Sequence, residues 1–168
     1  MSFPQEKTAA LTAFYGPFAL RTNGFPTAAW ETTNLTSFVA PYPLAAAWDP
    51  SIAIKRIRCH RKVEESLRAI LEGVKAHYGS IENIRVARMH LTGGVYNFRA
   101  ISGTSRLSLH SYGAAIDLDP ERNPLGKAWD ENAGMMPMEV VDIFASAGWK
   151  WGGRFNGRKD CMHFQATA

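Results

Sequence analysis

Two histidines and two aspartates in the second half of the chain have the types and spacing of a metal centre with a neighbouring base. His110 and Asp117 belong to the segment SLHSYGAAIDLDP, and Asp160 and His163 belong to DCMHF. Catalytic zinc usually takes three protein ligands from imidazole and carboxylate groups and keeps a fourth position for water. His110, Asp117 and His163 would supply such a set, and Asp160 could accept a proton from the water. This combination is typical of a zinc hydrolase.

The residues by themselves leave two questions about the ligand set open. Asp117 and Asp119 would lie on the same face of a strand formed by AAIDLD, because side chains alternate along a strand, so periodicity does not choose between them. Cys161 lies close before His163 and could be a fourth ligand, which would close the site and make it structural. A free buried thiol is the simpler interpretation of Cys161.

The two segments together resemble a known enzyme family. SLHSYGAAIDLD followed by DCMHF is similar to the zinc D-alanyl-D-alanine carboxypeptidase and L-alanyl-D-glutamate endopeptidase family. That family includes VanY-type carboxypeptidases, VanX-type dipeptidases and many phage endolysins. Its pattern Ser-x-His-x-x-Gly-x-Ala-x-Asp is matched here by Ser108, His110, Gly113, Ala115 and Asp117.

The resemblance implies a role for each residue of the candidate centre. His110, Asp117 and His163 would bind one Zn²⁺, which favours Asp117 over Asp119, and Asp160 would be the general base. Many family members have Glu where this chain has Asp160, whereas Asp shortly before His-Phe is common in the endopeptidase-like branch. The sequence therefore favours that branch.

Further residues are candidates for contact with the substrate. The family commonly uses an arginine near the metal loop to stabilise the substrate carbonyl or the transition state. Arg99 is the better match for this arginine, and Arg106 is the alternative candidate. We expect the other substrate contacts from Ser108 of the motif, from Trp151 as an aromatic wall of the cleft, and from Arg154, which could pair with substrate carboxylates.

The reaction implied by the resemblance is hydrolysis of a peptidoglycan stem peptide between L-Ala and D-Glu, as an endolysin does. One alternative is a D-Ala-D-Ala carboxypeptidase. The other is a noncatalytic zinc-containing interaction domain or phage structural domain. The presence of Asp160 in the position of the base argues against a noncatalytic role.

Composition restricts the other possible functions. The net charge of +4 is too small to require nucleic acid, and no nucleic-acid-binding motif accompanies the basic run at 55–62. No apolar run reaches about 18 residues, which predicts no membrane insertion. The N-terminus lacks the pattern of a secretory signal, so we expect a protein that is made in the cytoplasm and reaches the bacterial wall by phage or prophage release. We also expect the protein to be a monomer.

The sequence predicts a single α+β domain over residues 1–168, with a small antiparallel sheet that carries the zinc site and helices on its other face. Residues 1–50 are rich in proline and aromatic residues and predict an irregular wrap, and residues 51–168 predict the catalytic core. Within the core, an apolar pattern predicts a helix that ends at Gly79, and Pro137 predicts the start of another. Strands are expected at 84–89 and 94–100.

Overall fold

The computed structural model describes residues 2–168, which form an α+β fold. The strands are β1 (Leu35–Ala46), β2 (Asp49–His60), β3 (Leu91–Gly94), β4 (Ala115–Leu118), β5 (Lys150–Trp151) and β6 (His163–Gln165). The α-helices are α1 (Thr8–Tyr15), α2 (Ala28–Asn34), α3 (Glu64–Tyr78), α4 (Ile81–Val86) and α5 (Met138–Ser146).

All six strands belong to one sheet, in the order β2-β1-β3-β4-β6-β5. Neighbouring strands pair antiparallel except β1 and β3, which pair in parallel through Ala45 with Leu91 and Ala46 with Thr92. A parallel pair needs a long crossover, and β2, α3 and α4 supply it here. The predicted α+β class is confirmed, but the sheet is mixed rather than purely antiparallel.

The two faces of the sheet carry different kinds of side chain. Ile116 of β4 and Phe164 of β6 are register partners, and Phe164 stacks on Phe144 of α5 with ring centroids 3.9 Å apart. The next pair in the same register is Asp117 with His163. Because side chains alternate along a strand, this pair points away from α5. The candidate metal residues therefore lie on the face opposite this helix, as the sequence predicts.

The expectation that residues 1–50 are irregular is wrong. They contain α1, α2 and the whole of β1, although Pro41 and Pro43 lie inside that strand. Proline cannot donate to a strand ladder, and the pairing of β1 with β2 shifts register between Val39 and Leu44, where the two prolines stand. The register shift therefore lets β1 continue through both prolines.

The helices of the core agree with the sequence better than the strands do. Helix α3 ends at Gly79, which adopts φ 69°, and α5 begins directly after Pro137. The strand expected at 84–89 is wrong, because Ser80 caps α4 by accepting a hydrogen bond from the Asn83 backbone N–H at 3.1 Å. The strand expected at 94–100 is also wrong, because β3 ends at Gly94. None of the helices within residues 2–168 is long and apolar enough to cross a membrane.

The basic run at 55–62 has structural partners. It covers the end of β2 and the short turn that follows. The Arg58 guanidinium pairs with Glu31 of α2 at 3.1 Å, and the Arg61 guanidinium donates to the Thr32 carbonyl oxygen at 2.9 Å. Part of this charge therefore holds α2 against β2 and the turn that follows it.

Candidate metal centre and catalytic cleft

Three side chains from separate elements meet on the face of the sheet away from α5. His110 lies in a 3-10 turn (Leu109–Tyr112), Asp117 lies in β4, and His163 opens β6. Asp117 Oδ1 is 3.2 Å from His110 Nε2 and 2.9 Å from His163 Nδ1, and the two ring nitrogens are 3.2 Å apart. This is the group of three that the sequence predicts as metal ligands.

The second nitrogen of each imidazole has its own acceptor. His110 Nδ1 donates to the Val95 carbonyl oxygen at 2.8 Å, and His163 Nε2 donates to Gln165 Oε1 at 3.1 Å. In the neutral imidazoles, these bonds leave lone pairs on His110 Nε2 and His163 Nδ1, the two atoms that face Asp117. Acceptors of this kind on the far nitrogen are the usual means of orienting metal-binding histidines.

The donor set and its spacing fit zinc. In tetrahedral coordination, with zinc about 2.0–2.1 Å from each donor, ligand atoms lie about 3.3 Å from one another, close to the separations found here. Two imidazole nitrogens and one carboxylate oxygen are ligand types that zinc takes in catalytic sites. Lone pairs this close also repel one another unless a cation lies among them. The three residues could therefore hold Zn²⁺.

The electrostatics of these three side chains agree with a cation site. Burial alone would raise the pKa of Asp117, but hydrogen bonds from His110 and His163 and their charge outweigh burial and lower that pKa strongly. Burial alone would lower the pKa of His163, but its hydrogen bond to Asp117 and the charge of this carboxylate outweigh burial and raise it. Contact with Asp117 therefore favours the protonated form of His163, and a metal ion would compete with that proton.

Asp160 lies beside the group of three without belonging to it. It lines a cleft of about 170 Å³ together with His163, Arg99 and Ser108. Its Oδ1 is buried and has no hydrogen-bond partner among the described residues. Burial is the main cause that raises the pKa of this carboxyl group. A buried carboxylate oxygen without a partner is costly for the fold, and such an atom in a cleft marks a candidate functional group.

The main chain fixes the position of Asp160. Its backbone N–H donates to the Gly152 carbonyl oxygen at 3.1 Å, and its own carbonyl oxygen accepts from the His163 backbone N–H at 3.1 Å. A methyl group at Gly152 would collide with the Asp160 carbonyl oxygen. The turn that carries Asp160 is therefore bonded to β6, the strand that carries His163.

The two candidate arginines occupy different places. Arg99 lines the cleft with Asp160, and its backbone is held by Ser111, whose Oγ accepts from the Arg99 N–H at 2.9 Å and donates to the Arg99 carbonyl oxygen at 2.7 Å. The Arg106 side chain is 54% exposed and lies 3.6 Å from Glu6 Oε1. Of these two arginines, Arg99 is thus the one that shares the cleft with the candidate base.

The remaining predicted substrate residues divide between the cleft and a larger cavity next to it. Arg106, Trp151 and Arg154 line this cavity of about 720 Å³, which shares Phe155 and Arg158 with the cleft. Trp151 is largely buried, and its Nε1 donates to the Cys161 carbonyl oxygen at 2.8 Å.

Ser108 has a partner of its own. It lines the cleft, but its hydroxyl oxygen accepts from the His110 backbone N–H at 3.3 Å and caps the turn that carries this histidine. This bond connects Ser108 to the metal loop.

Asp119 and Cys161, the two residues whose part in the ligand set the sequence left open, both have other partners in the structure. Asp119 is buried and receives a hydrogen bond from Arg88 Nε at 2.8 Å, so its carboxylate is engaged away from the group of three. Cys161 is a free buried thiol whose Sγ lies 3.6 Å from the Lys127 carbonyl oxygen, its acceptor. Neither residue belongs to the ligand group found in residues 2–168.

Sequence reasoning missed three groups that support the centre. The Val95 carbonyl oxygen and Gln165 orient the two histidines, and Glu6 binds Gln165. The position of Gln165, two residues after His163 on one strand, could have indicated its role, because such residues share a face. Glu6 and Val95 had no comparable signal, since they reach the site only through the tertiary fold.

Gly113 supplies the turn between His110 and Asp117, and this gives a stability prediction. It adopts φ 69°, and a Cβ here would lie 2.9 Å from the His60 backbone nitrogen. We expect Gly113→Ala to destabilise the protein by about 1–3 kcal/mol, because it adds left-handed backbone strain and a main-chain collision. Denaturant unfolding measures the loss. Gly157→Ala is the matched control, since a Cβ at Gly157 meets no atom within 4 Å; equal stability of the two variants would contradict the prediction.

The α+β fold thus brings a His-Asp-His group that could hold a metal ion next to a carboxylate oxygen without a partner among the described residues. Residues 102–166 match the model of a protein family described as D-alanyl-D-alanine carboxypeptidase. The match covers less than half of the chain, and it contains both histidines, Asp117 and Asp160. It supports the resemblance to VanY-like zinc peptidases in that segment. A search of curated proteins and a search of solved structures found no match.

Proposed function

We propose that this protein is a zinc-dependent peptidase that hydrolyses peptidoglycan stem peptides between L-Ala and D-Glu. The observation that carries the proposal is the buried Oδ1 of Asp160, which has no partner in residues 2–168 and lies in a cleft that also reaches His163. A noncatalytic zinc domain has no need for a buried carboxylate oxygen without a partner. The match of residues 102–166 to a peptidase family supports the same class of reaction.

His110, Asp117 and His163 would hold the metal. Bound Zn²⁺ supplies a Lewis acid that polarises the scissile carbonyl and lowers the pKa of water from 15.7 to about 7. The hydrogen bonds of the histidines to Val95 and Gln165 orient His110 Nε2 and His163 Nδ1 toward Asp117. Zinc would bind these nitrogens after displacing any proton that they carry.

Asp160 would act as the general base and then as the general acid. Its free Oδ1 accepts a proton from the attacking water and returns that proton to the leaving amine. Arg99, which lines the same cleft, would donate to the oxygen that becomes negative in the transition state. Hydrogen bonds to the backbones of Asp160 and Arg99 fix the positions of both residues in the cleft.

The charge around the cleft supports a substrate with carboxylates. Arg106, Arg154 and Arg158 line the larger cavity, and Arg158 lines the cleft as well. Stem peptides carry a carboxylate on D-Glu and often another on the third residue. Charge-assisted hydrogen bonds from these guanidinium groups to such carboxylates are worth about 1.5–3 kcal/mol each when water is excluded.

A D-Ala-D-Ala carboxypeptidase is the second candidate, because the matching family model carries that description. The two activities give different products from one pentapeptide stem. We expect mass spectrometry of purified muropeptides, incubated with the zinc-loaded protein, to detect peptides that begin at D-Glu. Release of free D-Ala alone would favour the carboxypeptidase, and intact muropeptides would contradict both.

A further inference from the structure

Glu6 reaches the metal site from the opposite end of the chain. It lies just before α1, and its Oε2 accepts a hydrogen bond from Gln165 Nε2 at 2.9 Å. Its other oxygen, Oε1, is 3.6 Å from Arg106 Nη2. Glu6 lies outside the segment 102–166 that matches the family model. The contact is therefore a feature of this chain beyond the matched segment.

Buried contacts hold the segment that carries Glu6. Phe3 is buried and packs edge-on against Trp149, with ring centroids 6.2 Å apart. The Pro4 carbonyl oxygen accepts from the Ala168 backbone N–H at 2.8 Å. Glu6 thus approaches Gln165 from a fixed backbone position.

The amide of Gln165 has two orientations, with opposite effects on His163. In the observed one, Gln165 Oε1 accepts from His163 Nε2–H, and Gln165 Nε2 donates to Glu6 and to Thr167 Oγ1, the latter at 2.9 Å. The reversed amide would present an N–H to His163 Nε2. The neutral imidazole would then carry its hydrogen on Nδ1, the atom that faces Asp117. That tautomer cannot bind the metal through Nδ1.

Among the described residues, Glu6 is the hydrogen-bond partner of the Gln165 Nε2 group that can select between the two orientations. The Thr167 hydroxyl donates as well as it accepts, so it tolerates both. A carboxylate only accepts, so Glu6 requires the amide nitrogen on its own side. Gln165 is 3% exposed, so water offers little competition for these bonds.

We propose that Glu6 is a positioning residue that fixes the Gln165 amide and, through it, the metal-binding tautomer of His163. The proposal rests on the metal site of the proposed function and does not require peptide cleavage. Hydrogen-bond partners of metal ligands typically contribute 10–100-fold to metal affinity. Glu6 would be the residue that keeps such a partner in its working orientation.

Zinc affinity in Glu6→Gln is the direct test. The substitution keeps the size of the side chain but adds an amide N–H₂ that can face Gln165. Arg106 attracts the oxygen of the new amide, so its nitrogen turns toward Gln165 and favours the reversed orientation. We expect zinc affinity, measured by competition with a chromophoric chelator, to fall by about 10–100-fold.

A second substitution should reverse the loss. In the double variant Glu6→Gln with Gln165→Glu, a carboxylate at position 165 accepts from both His163 Nε2–H and the new amide at position 6. We expect zinc affinity to return to near the wild-type value. A merely structural role of Glu6 predicts no such recovery, because the double variant removes both native side chains.

Two single variants serve as controls. Glu65→Gln changes an exposed carboxylate on α3, and Glu82→Gln changes an exposed carboxylate on α4; both should bind zinc as the wild type does. Unchanged zinc affinity in Glu6→Gln, or no recovery in the double variant, would overturn the proposal. A wild-type protein that binds zinc but cleaves no stem peptide would overturn the proposed function alone.

Discussion

Asp160→Asn should bind zinc as the wild type does and lose turnover by about 10²–10⁴-fold, the usual contribution of a general base. The amide that replaces the carboxylate has nearly the same shape but cannot accept the proton from water. Zinc should remain because Asp160 stands outside the His-Asp-His group. Zinc content by elemental analysis and kcat on a synthetic stem peptide measure the two properties separately.

The matched control is Asp142→Asn, which changes an exposed carboxylate on α5 and should leave kcat unchanged. Asp160→Glu should retain partial activity, because the family resemblance includes both acids at this position. Loss of zinc from Asp160→Asn would mean that Asp160 is a ligand. Full turnover in Asp160→Asn would exclude it as the base.

His110→Ala should lower zinc content from about one ion per chain to near zero and abolish turnover, because a catalytic zinc site depends on three protein ligands. The loss should be large because His110 is 2% exposed and its imidazole is already oriented by Val95. Elemental analysis after gel filtration measures the metal, and the stem-peptide assay measures the reaction.

Two variants control for unrelated effects of substitution. His77→Ala removes an exposed imidazole on α3, and Cys161→Ser changes the thiol that lies beside the Lys127 carbonyl oxygen. Both should keep zinc. Zinc retained in His110→Ala, or lost from Cys161→Ser, would disprove the ligand assignment.

The pH dependence of zinc binding follows from the pKa of His163. Contact with Asp117 raises this pKa above its usual value, even though burial alone would lower it. Zinc must displace the proton from Nδ1, so protonation competes with binding. Affinity for zinc should therefore fall as the pH decreases through the raised pKa of His163, and titration with a chelator across this range would detect the fall.

The parts of the site that the sequence predicts are those encoded locally. His110, Gly113 and Asp117 stand close together in one segment, and Asp160 stands close to His163, so spacing alone indicates a turn, a strand and a pair of functional groups. The resemblance then distinguishes Asp117 from Asp119. The structure gives a physical reason for this distinction, which is the ion pair of Asp119 with Arg88.

The elements of the fold and the contacts of the site that the sequence did not predict depend on residues distant in sequence or on competing local preferences. The proline content of residues 1–50 predicts irregular structure, but a register shift allows β1 to include Pro41 and Pro43. The apolar pattern at 84–89 fits a strand, but the Ser80 cap favours α4. No local pattern links Glu6 to Gln165, because packing of Phe3 against Trp149 helps to create that contact.

The pairing of Asp117 with His163 has a consequence for how the sheet is held together. Strands β1 and β2 each have 12 residues, whereas β6 has 3 and β5 has 2. A cation held by His110, Asp117 and His163 would connect β4 to β6, at the end of the sheet where the strands are short. It would bind only when β4 and β6 pair in the native register, because a slip by one residue turns His163 to the other face of the sheet. By mass action, free zinc would then stabilise the folded protein. The ion that would supply the chemistry would thus also cross-link β4 and β6, two neighbouring short strands of the sheet.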